Sequence, residues 1–268
     1  MELPEPLSQC FNVLALRKFQ QNDLRIFWEE EYPARSSERK VEEDSFWNSR
    51  LQQNPDANFF NGTLCELRKH DFSTTPIQLI LGPIEFKAHF FSVSEGESTK
   101  KDTGSSNMAL GVSAVVLSGD SKLHFMKRSQ DVAAGPGQLD VFGGHIDPNL
   151  HSVRIPQGDK APDPLAAIAA ELEEELNLRE AQITSLEGIG LIENCITGQP
   201  ELIFRCRTFL DSEAIILQAR RAKDRREYSR IMHLPDEVEE LRKFCLDHAT
   251  EFSPSGLGNI WLHTITPD

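Results

Sequence analysis

The run MALGVSAVVL, residues 108–117, constrains this chain more than any other stretch. Its side chains are almost all apolar, and it has the length of one strand. A strand that is apolar on both sides must be covered on both sides, so it belongs inside a sheet sandwiched between two layers. The Ser-Gly-Asp turn that follows, and then KLHFMKR, make it one arm of a hairpin. Further along, residues 183–192 and 201–210 read as strands, and 165–178 and 235–248 as helices. Strands and helices that interleave in this way predict an α/β (α+β) fold, an α/β/α sandwich around a mixed sheet. The ending SPSGLGNIWLHTI reads as small and turn-rich.

The part before this run is organised differently. Residues 10–17 read as a strand. Residues 36–53 carry Phe46, Trp47 and Leu51 among charges and read as an amphipathic helix closed by Asn54-Pro55. Residues 61–70 and IQLILG read as two strands joined by a short loop. The polar stretch 94–107 has no apolar period and marks a boundary or a long surface loop. The expected division is therefore an N-terminal α/β extension over 1–107 and a main domain over 108–268. There is no internal repeat.

Composition limits the function. Twenty-eight Lys and Arg stand against 42 Asp and Glu, a formal net charge of −14. A field of that sign repels nucleic-acid backbones and anionic membrane surfaces, so neither is an expected partner. A phosphate substrate would need local cations to overcome it. The start, MELPEPLSQC, has neither the basic residues nor the apolar stretch of a signal peptide, and no run is long enough to span a bilayer. A soluble, intracellular protein is expected. Cys10, Cys65, Cys195, Cys206 and Cys245 are odd in number and lack zinc or redox spacing, so buried free thiols are expected.

The chemistry concentrates in the helix 165–178. At about 100° per residue, Leu165, Ile168, Ala169, Leu172 and Leu176 form one apolar stripe. Glu171, Glu174 and Glu175 lie beside it at i, i+3 and i+4, while Glu173 points elsewhere. Three carboxylates so spaced repel one another. A hard divalent cation with oxygen ligands removes that repulsion. A solvated acidic face is the other reading of such a helix. Lys127 and Arg128, at a strand end just before a Gly-rich segment, are the nearest obvious cations for a diphosphate. Gly135, Gly137, Gly143 and Gly144 permit tight turns or close backbone approach. His145 follows the double glycine and could hydrogen-bond a substrate or simply pack.

Gly143-Gly144 followed by Glu171-Leu172-Glu173-Glu174-Glu175-Leu176-Asn177-Leu178 resembles the box of the Nudix hydrolases. That box reads Gly, five spacers, Glu, seven spacers, then Arg-Glu-U-x-Glu-Glu-x-Gly-U, with U bulky and apolar. Three departures stand out. An insertion at about 149–162 lengthens the interval after Gly144. The first box Glu falls on Pro162, with Asp147, Asp159 or Asp163 as loose substitutes. Ala170 replaces the Arg, and Asn177 replaces the Gly, although Asn can supply the same left-handed helix end. FWNSRL, LGVSAVVL, KRSQDVAAGPGQLDVFGGH, ELNL and SPSGLGNIWLH resemble the UDP-glucose pyrophosphatase branch, from about Phe46 onward.

The resemblance implies magnesium-dependent hydrolysis, with manganese as a possible substitute, of the pyrophosphate bond of UDP-glucose or UDP-galactose to UMP and a sugar 1-phosphate. It implies Glu171, Glu174 and Glu175 as catalytic metal ligands, and one of them as general base. Lys127, Arg128, Gly144, His145 and Glu201 are the expected substrate-side residues, Glu201 because it aligns with an acidic position of that branch. The extension would supply a wall for uracil or sugar, with Phe59, Phe60 and Phe72 as candidates for stacking. Two alternatives remain: a Nudix hydrolase for ADP-ribose or another nucleotide sugar, or a non-catalytic nucleotide-binding protein on the same scaffold.

Overall fold

A computed structural model describes residues 2–53, 60–95, 108–132, 135–154 and 160–267. The stretch 108–117 forms strand β5, Gly111–Leu117, buried at every position. It lies inside a mixed sheet with β1 (Phe11–Phe19), β6 (Lys122–Arg128), β11 (Ile183–Asn194), β12 (Pro200–Thr208) and β13 (Tyr228–Pro235). The order is β1-β11-β12-β5-β6-β13, with β12 and β5 parallel and the other pairs antiparallel. Two short strands continue it: β7 (Leu139–Asp140) pairs with β6, and β8 (Phe142–His145) pairs with β5.

Both faces of the sheet are covered, as a doubly apolar strand requires. On one face, Val112, Ala114 and Val116 pack with Ala167, Ile168, Leu172 and Leu176 of helix α3 (Pro164–Leu176), and with Ile215 of α4 (Ser212–Ala219). On the other, Val115, Leu117 and Phe125 pack with Leu241 of α5 (Val238–Asp247) and with Leu257, Ile260 and Leu262 of α6 (Pro254–Ile265). The fold is the mixed α/β sandwich that the sequence predicts. No described helix is long and apolar enough to cross a membrane.

The ending expected to be turn-rich is instead helix α6. Ser253 caps it by accepting from the Gly256 amide at 2.9 Å, and Pro254 opens its first turn. Its glycines are contact points. A Cβ at Gly258 would stand 2.5 Å from Ile192 Cδ1. Close docking on the sheet outweighs their low helix propensity.

The extension contains helix α1 (Ser37–Gln53), helix α2 (Phe86–Glu95) and a small sheet, in which β2 (Leu24–Trp28) runs parallel to β4 (Ile77–Glu85) and β3 (Thr63–Asp71) antiparallel to it. It is not a separate core. β1 is an edge strand of the main sheet, and Cys65, Ile77, Leu79 and Leu81 share one core with Val112 and Leu172. Cys65 also donates to the Ile146 carbonyl at 3.0 Å and accepts from the Leu110 amide at 2.7 Å. The Asn54-Pro55 helix stop lies outside the described residues, as does the boundary stretch beyond residue 95. The insertion forms a hairpin, β9 (Ser152–Arg154) with β10 (Lys160–Pro162), whose 155–159 segment, Asp159 included, is likewise not described. Cys65, Cys206 and Cys245 are buried, and Cys10 and Cys195 half-buried.

Candidate active site

Helix α3 is fixed at both ends. The Asp163 carboxylate accepts from the Leu165 and Ala166 amides at 3.0 and 3.2 Å. That is an N-cap role. At the other end Asn177 adopts φ 55°, and its amide reaches the Leu172 and Glu173 carbonyls. Asn thus supplies the left-handed helix end that glycine commonly does. Between the ends, Ile168, Leu172 and Leu176 are buried, and Ala167 joins them; Leu165 and Ala169 are only half-buried.

The three glutamates share one side of the helix but not one environment. Glu175 is 1% exposed, Glu171 is half-buried, and Glu174 stands at the rim. Strand β8 supplies partners for the inner two. The Gly143 amide donates to Glu175 Oε2 at 2.8 Å, and the His145 amide donates to Glu171. This approach requires the double glycine. A Cβ at Gly144 would lie 2.2 Å from Glu171 Oε1, and one at Gly143 2.2 Å from the Val112 carbonyl oxygen.

Burial, then the charges of Glu174 and Glu227, push the Glu171 carboxyl up to about 7. Burial, then Glu171 and Glu227, push Glu175 well above the carboxylate range. Glu175 Oε1 is buried with no hydrogen-bond partner. A buried oxygen lone pair without a donor, beside a second crowded carboxyl, is what an oxygen-preferring cation relieves. As the side chains stand, no group of three or more His, Cys, Asp or Glu among the described residues is spaced to hold a metal. Glu174 is turned to another partner.

That partner belongs to a turn leading into β13. Lys223 Nζ lies 2.7 Å from Glu174 Oε1, and the Asp224 carboxyl hydrogen-bonds the same glutamate. Burial alone would raise Glu174, but these two partners outweigh it and hold it below its ordinary range. The Asp224 amide donates to the Glu174 carbonyl at 2.9 Å. The Tyr228 hydroxyl stands 3.0 Å from the carbonyls of Glu175 and Ala219. Glu227, raised by burial first, faces the helix glutamates from this turn.

Of these groups, Glu171, Glu174, Lys223 and Glu227 line a cleft of about 800 Å³. Arg128 lines it and is held by Asp140 Oδ2 at 3.1 Å; Asp140 Oδ1 in turn accepts from Ser253 at 2.5 Å. Lys127 does not line it, because adjacent strand residues point to opposite faces. Glu201 lines it, buried, with hydrogen bonds from Ser255 and Ser113, and burial raises its carboxyl to about 7. Gly144 and His145 line it too. Burial and then Arg128 lower the His145 ring to about 4, so it is neutral, with Gln199 Nε2 3.0 Å from its Nε2. Asp147 lines the same cleft.

From the extension, Leu64, Phe86 and Val93 form part of the wall. Phe60, 79% exposed, does not line the cleft; Phe72 packs edge-on against Phe19 at 6.0 Å; Phe59 lies outside the described residues. Lys223, Asp224, Glu227, Asp140 and Ser255 escape the sequence reading. Their sequence signals are a charged run, KDRRE, a short SPS, and for Asp140 only its place in the Gly-rich stretch GQLDVFGGH.

No family model matches the chain. A stretch of 76 residues is 40% identical to the uridine diphosphate glucose pyrophosphatase NUDT22 of Mus musculus, covering 26% of this chain and 25% of that protein. The match therefore spans about a quarter of the curated relative's length. Among solved structures, DR0079 from Deinococcus radiodurans is 16% identical with a TM-score of 0.35, covering 55% of this chain and 76% of that one. The MutT protein from Methanosarcina mazei Go1 is 13% identical with a TM-score of 0.33, covering 59% and 92%. A NUDIX-family hydrolase from Clostridium perfringens is 12% identical with a TM-score of 0.32, covering 59% and 96%. Likenesses this loose do not bear on function.

Proposed function

We propose that this chain is a Nudix-type pyrophosphohydrolase, dependent on magnesium and able to use manganese, that cleaves UDP-glucose or UDP-galactose. One observation carries the reading. Two glutamates of a single helical turn are clamped by β8 amides: Glu171 lines a large cleft, and Glu175, buried on the same turn, keeps an oxygen unpartnered. The donor set is all oxygen and crowded with negative charge, which suits magnesium. Glu171, Glu174 and Glu175 would hold it. A divalent ion bound there supplies charge neutralisation on the diphosphate and makes water a stronger nucleophile.

The chain's own residues do the rest. Gly143 and His145 amides orient two carboxylates, so their geometry does not depend on long flexible side chains alone. Arg128, steadied by Asp140, offers a guanidinium suited to phosphate oxygens. Water adds to one phosphorus and a bridging P–O bond breaks, giving UMP and a sugar 1-phosphate. The proton released from water passes to a carboxylate of the helical turn. Glu201 and His145 bound the substrate side, while Leu64, Phe86 and Val93 form an apolar wall for base or sugar.

The uridine preference is supported by the 76-residue match and by the segments that resemble the UDP-glucose pyrophosphatase branch. ADP-ribose or another nucleotide sugar is the second substrate reading. The lost box arginine, replaced by Ala170, favours a non-catalytic binding protein as the third. A panel of UDP-glucose, UDP-galactose and ADP-ribose, assayed with magnesium for released nucleoside monophosphate, separates the three. Uridine sugars should turn over fastest. Equal turnover of all would remove the uridine preference, and binding without turnover would remove the hydrolase.

A further inference from the structure

The cleft contains few cations for a site that must receive a diphosphate. Among the described lining residues, the basic side chains besides the histidines are Arg128 and Lys223. Arg128 is tied to Asp140 on its own side of the cleft. Lys223 is different: its side chain is 67% exposed, and its ammonium is set on the 40% exposed carboxylate of Glu174. The backbone beneath it is anchored to the glutamate helix. The Asp224 amide is bonded to the Glu174 carbonyl, and the Tyr228 hydroxyl is next to the Glu175 carbonyl. A flexible four-carbon stem is thus mounted on a fixed base at the rim of the site.

From this arrangement we infer that Lys223 is an exchangeable counter-ion. It neutralises Glu174 while no metal is bound, and moves to the substrate's diphosphate once a divalent cation takes that carboxylate. The inference rests on the metal-binding reading of the helix. Its physical basis is competition. An ammonium and a divalent cation cannot share one carboxylate oxygen without strong repulsion, so whichever binds displaces the other. The displaced ammonium cannot go far, because its backbone is pinned. Lys223 itself lines the cleft, and the charge of the neighbouring Asp224 carboxylate acts to hold it there. A nucleoside diphosphate brings the anionic oxygens that give it a new partner. Lys223 is thus a substrate-positioning residue that also lowers the apparent affinity for metal alone.

The test compares wild type, Lys223→Met and Lys223→Arg, each full-length and checked for folding by circular dichroism. The side chain is exposed, so neither change disturbs the core. Free Mn²⁺ is followed by electron paramagnetic resonance in the absence of nucleotide. Removing an exposed ion-pair competitor should tighten Mn²⁺ binding about two- to fivefold in Lys223→Met. Binding of α,β-methylene-UDP in the presence of Mn²⁺, measured calorimetrically, should weaken about tenfold in the same variant, as expected for loss of one charge-assisted hydrogen bond. Lys223→Arg should stay near wild type in both. Unchanged or weaker Mn²⁺ binding in Lys223→Met, or unchanged analogue binding, overturns the exchange while leaving the hydrolase reading intact. A wild type that takes up no Mn²⁺ removes both.

Discussion

Replacing Glu171 with Gln should make the metal-free protein more stable at alkaline pH, although it removes a residue assigned to the active site. Glu171 ionises near 4.5 in an ordinary environment but at about 7 in the fold, because burial and Glu174 disfavour its charge. The folded state therefore holds a proton that the unfolded state has lost between those two values. Stability falls as pH rises through this window, and the full cost is present above it. At pH 8 that cost is about 3 kcal/mol for Glu171. At pH 5 most of it is gone. Gln is nearly isosteric and still accepts from the His145 amide, so the variant avoids the cost without leaving a hole. In EDTA at pH 8, Glu171→Gln should melt roughly 5–10 °C above wild type. At pH 5 the two should differ by less than about 1 kcal/mol. Millimolar magnesium at pH 8 should then raise wild type more than the variant, because ligand binding stabilises only the form that binds. Scanning calorimetry in the three conditions gives the answer. Equal melting temperatures at pH 8 in EDTA, or a less stable variant, would refute the claim that the half-buried Glu171 carboxylate destabilises the metal-free fold when charged.

Three further outcomes follow from the same geometry. Because Glu171 must lose its proton to hold a cation, Mn²⁺ affinity should fall as pH drops below about 7, by up to about tenfold per pH unit for each proton displaced; titrations at pH 6 and pH 8 check this. Gly144→Ala places a Cβ against the Glu171 carboxylate, so nucleotide-sugar turnover should drop by about two orders of magnitude while circular dichroism stays unchanged. Asn177→Ala forces a β-carbon-bearing residue without Asn's tolerance into φ 55°, and should cost about 1 kcal/mol in urea unfolding, whereas Asn177→Gly should be neutral or stabilising.

The parts of this molecule legible in its sequence are those in which side-chain period decides the structure. The buried run at 108–117 could only be an interior strand, and the helix carrying Glu171, Glu174 and Glu175 declares itself by its apolar stripe. Asn177 was readable as a left-handed cap because few other side chains tolerate that conformation. The period also held information that the residue types obscured. Lys127 and Arg128 are both cations, but neighbours on a strand face opposite ways, so only Arg128 reaches the cleft. Helix α6 was illegible because its glycines lower local helix propensity, and their function appears only against the sheet. The partners of Glu174 were illegible for a different reason. Lys223 and Asp224 lie about fifty residues away in sequence, and only the pairing of β13 with β6 brings their turn onto the helix. Nor does composition show that β1 forms an edge of the main sheet, or that the Cys65 backbone bonds Leu110 and Ile146, beside β5 and β8.

Hydrolysis by this chain requires the glutamate turn of α3 to hold a divalent ion against a diphosphate. Incubating the pure protein with UDP-glucose, with magnesium and with EDTA, and resolving the products by phosphorus NMR tests it most directly, with Glu175→Gln alongside. Wild type should give UMP and glucose 1-phosphate with magnesium only, and the variant almost none. Intact UDP-glucose in every tube, or equal cleavage by Glu175→Gln, would contradict it.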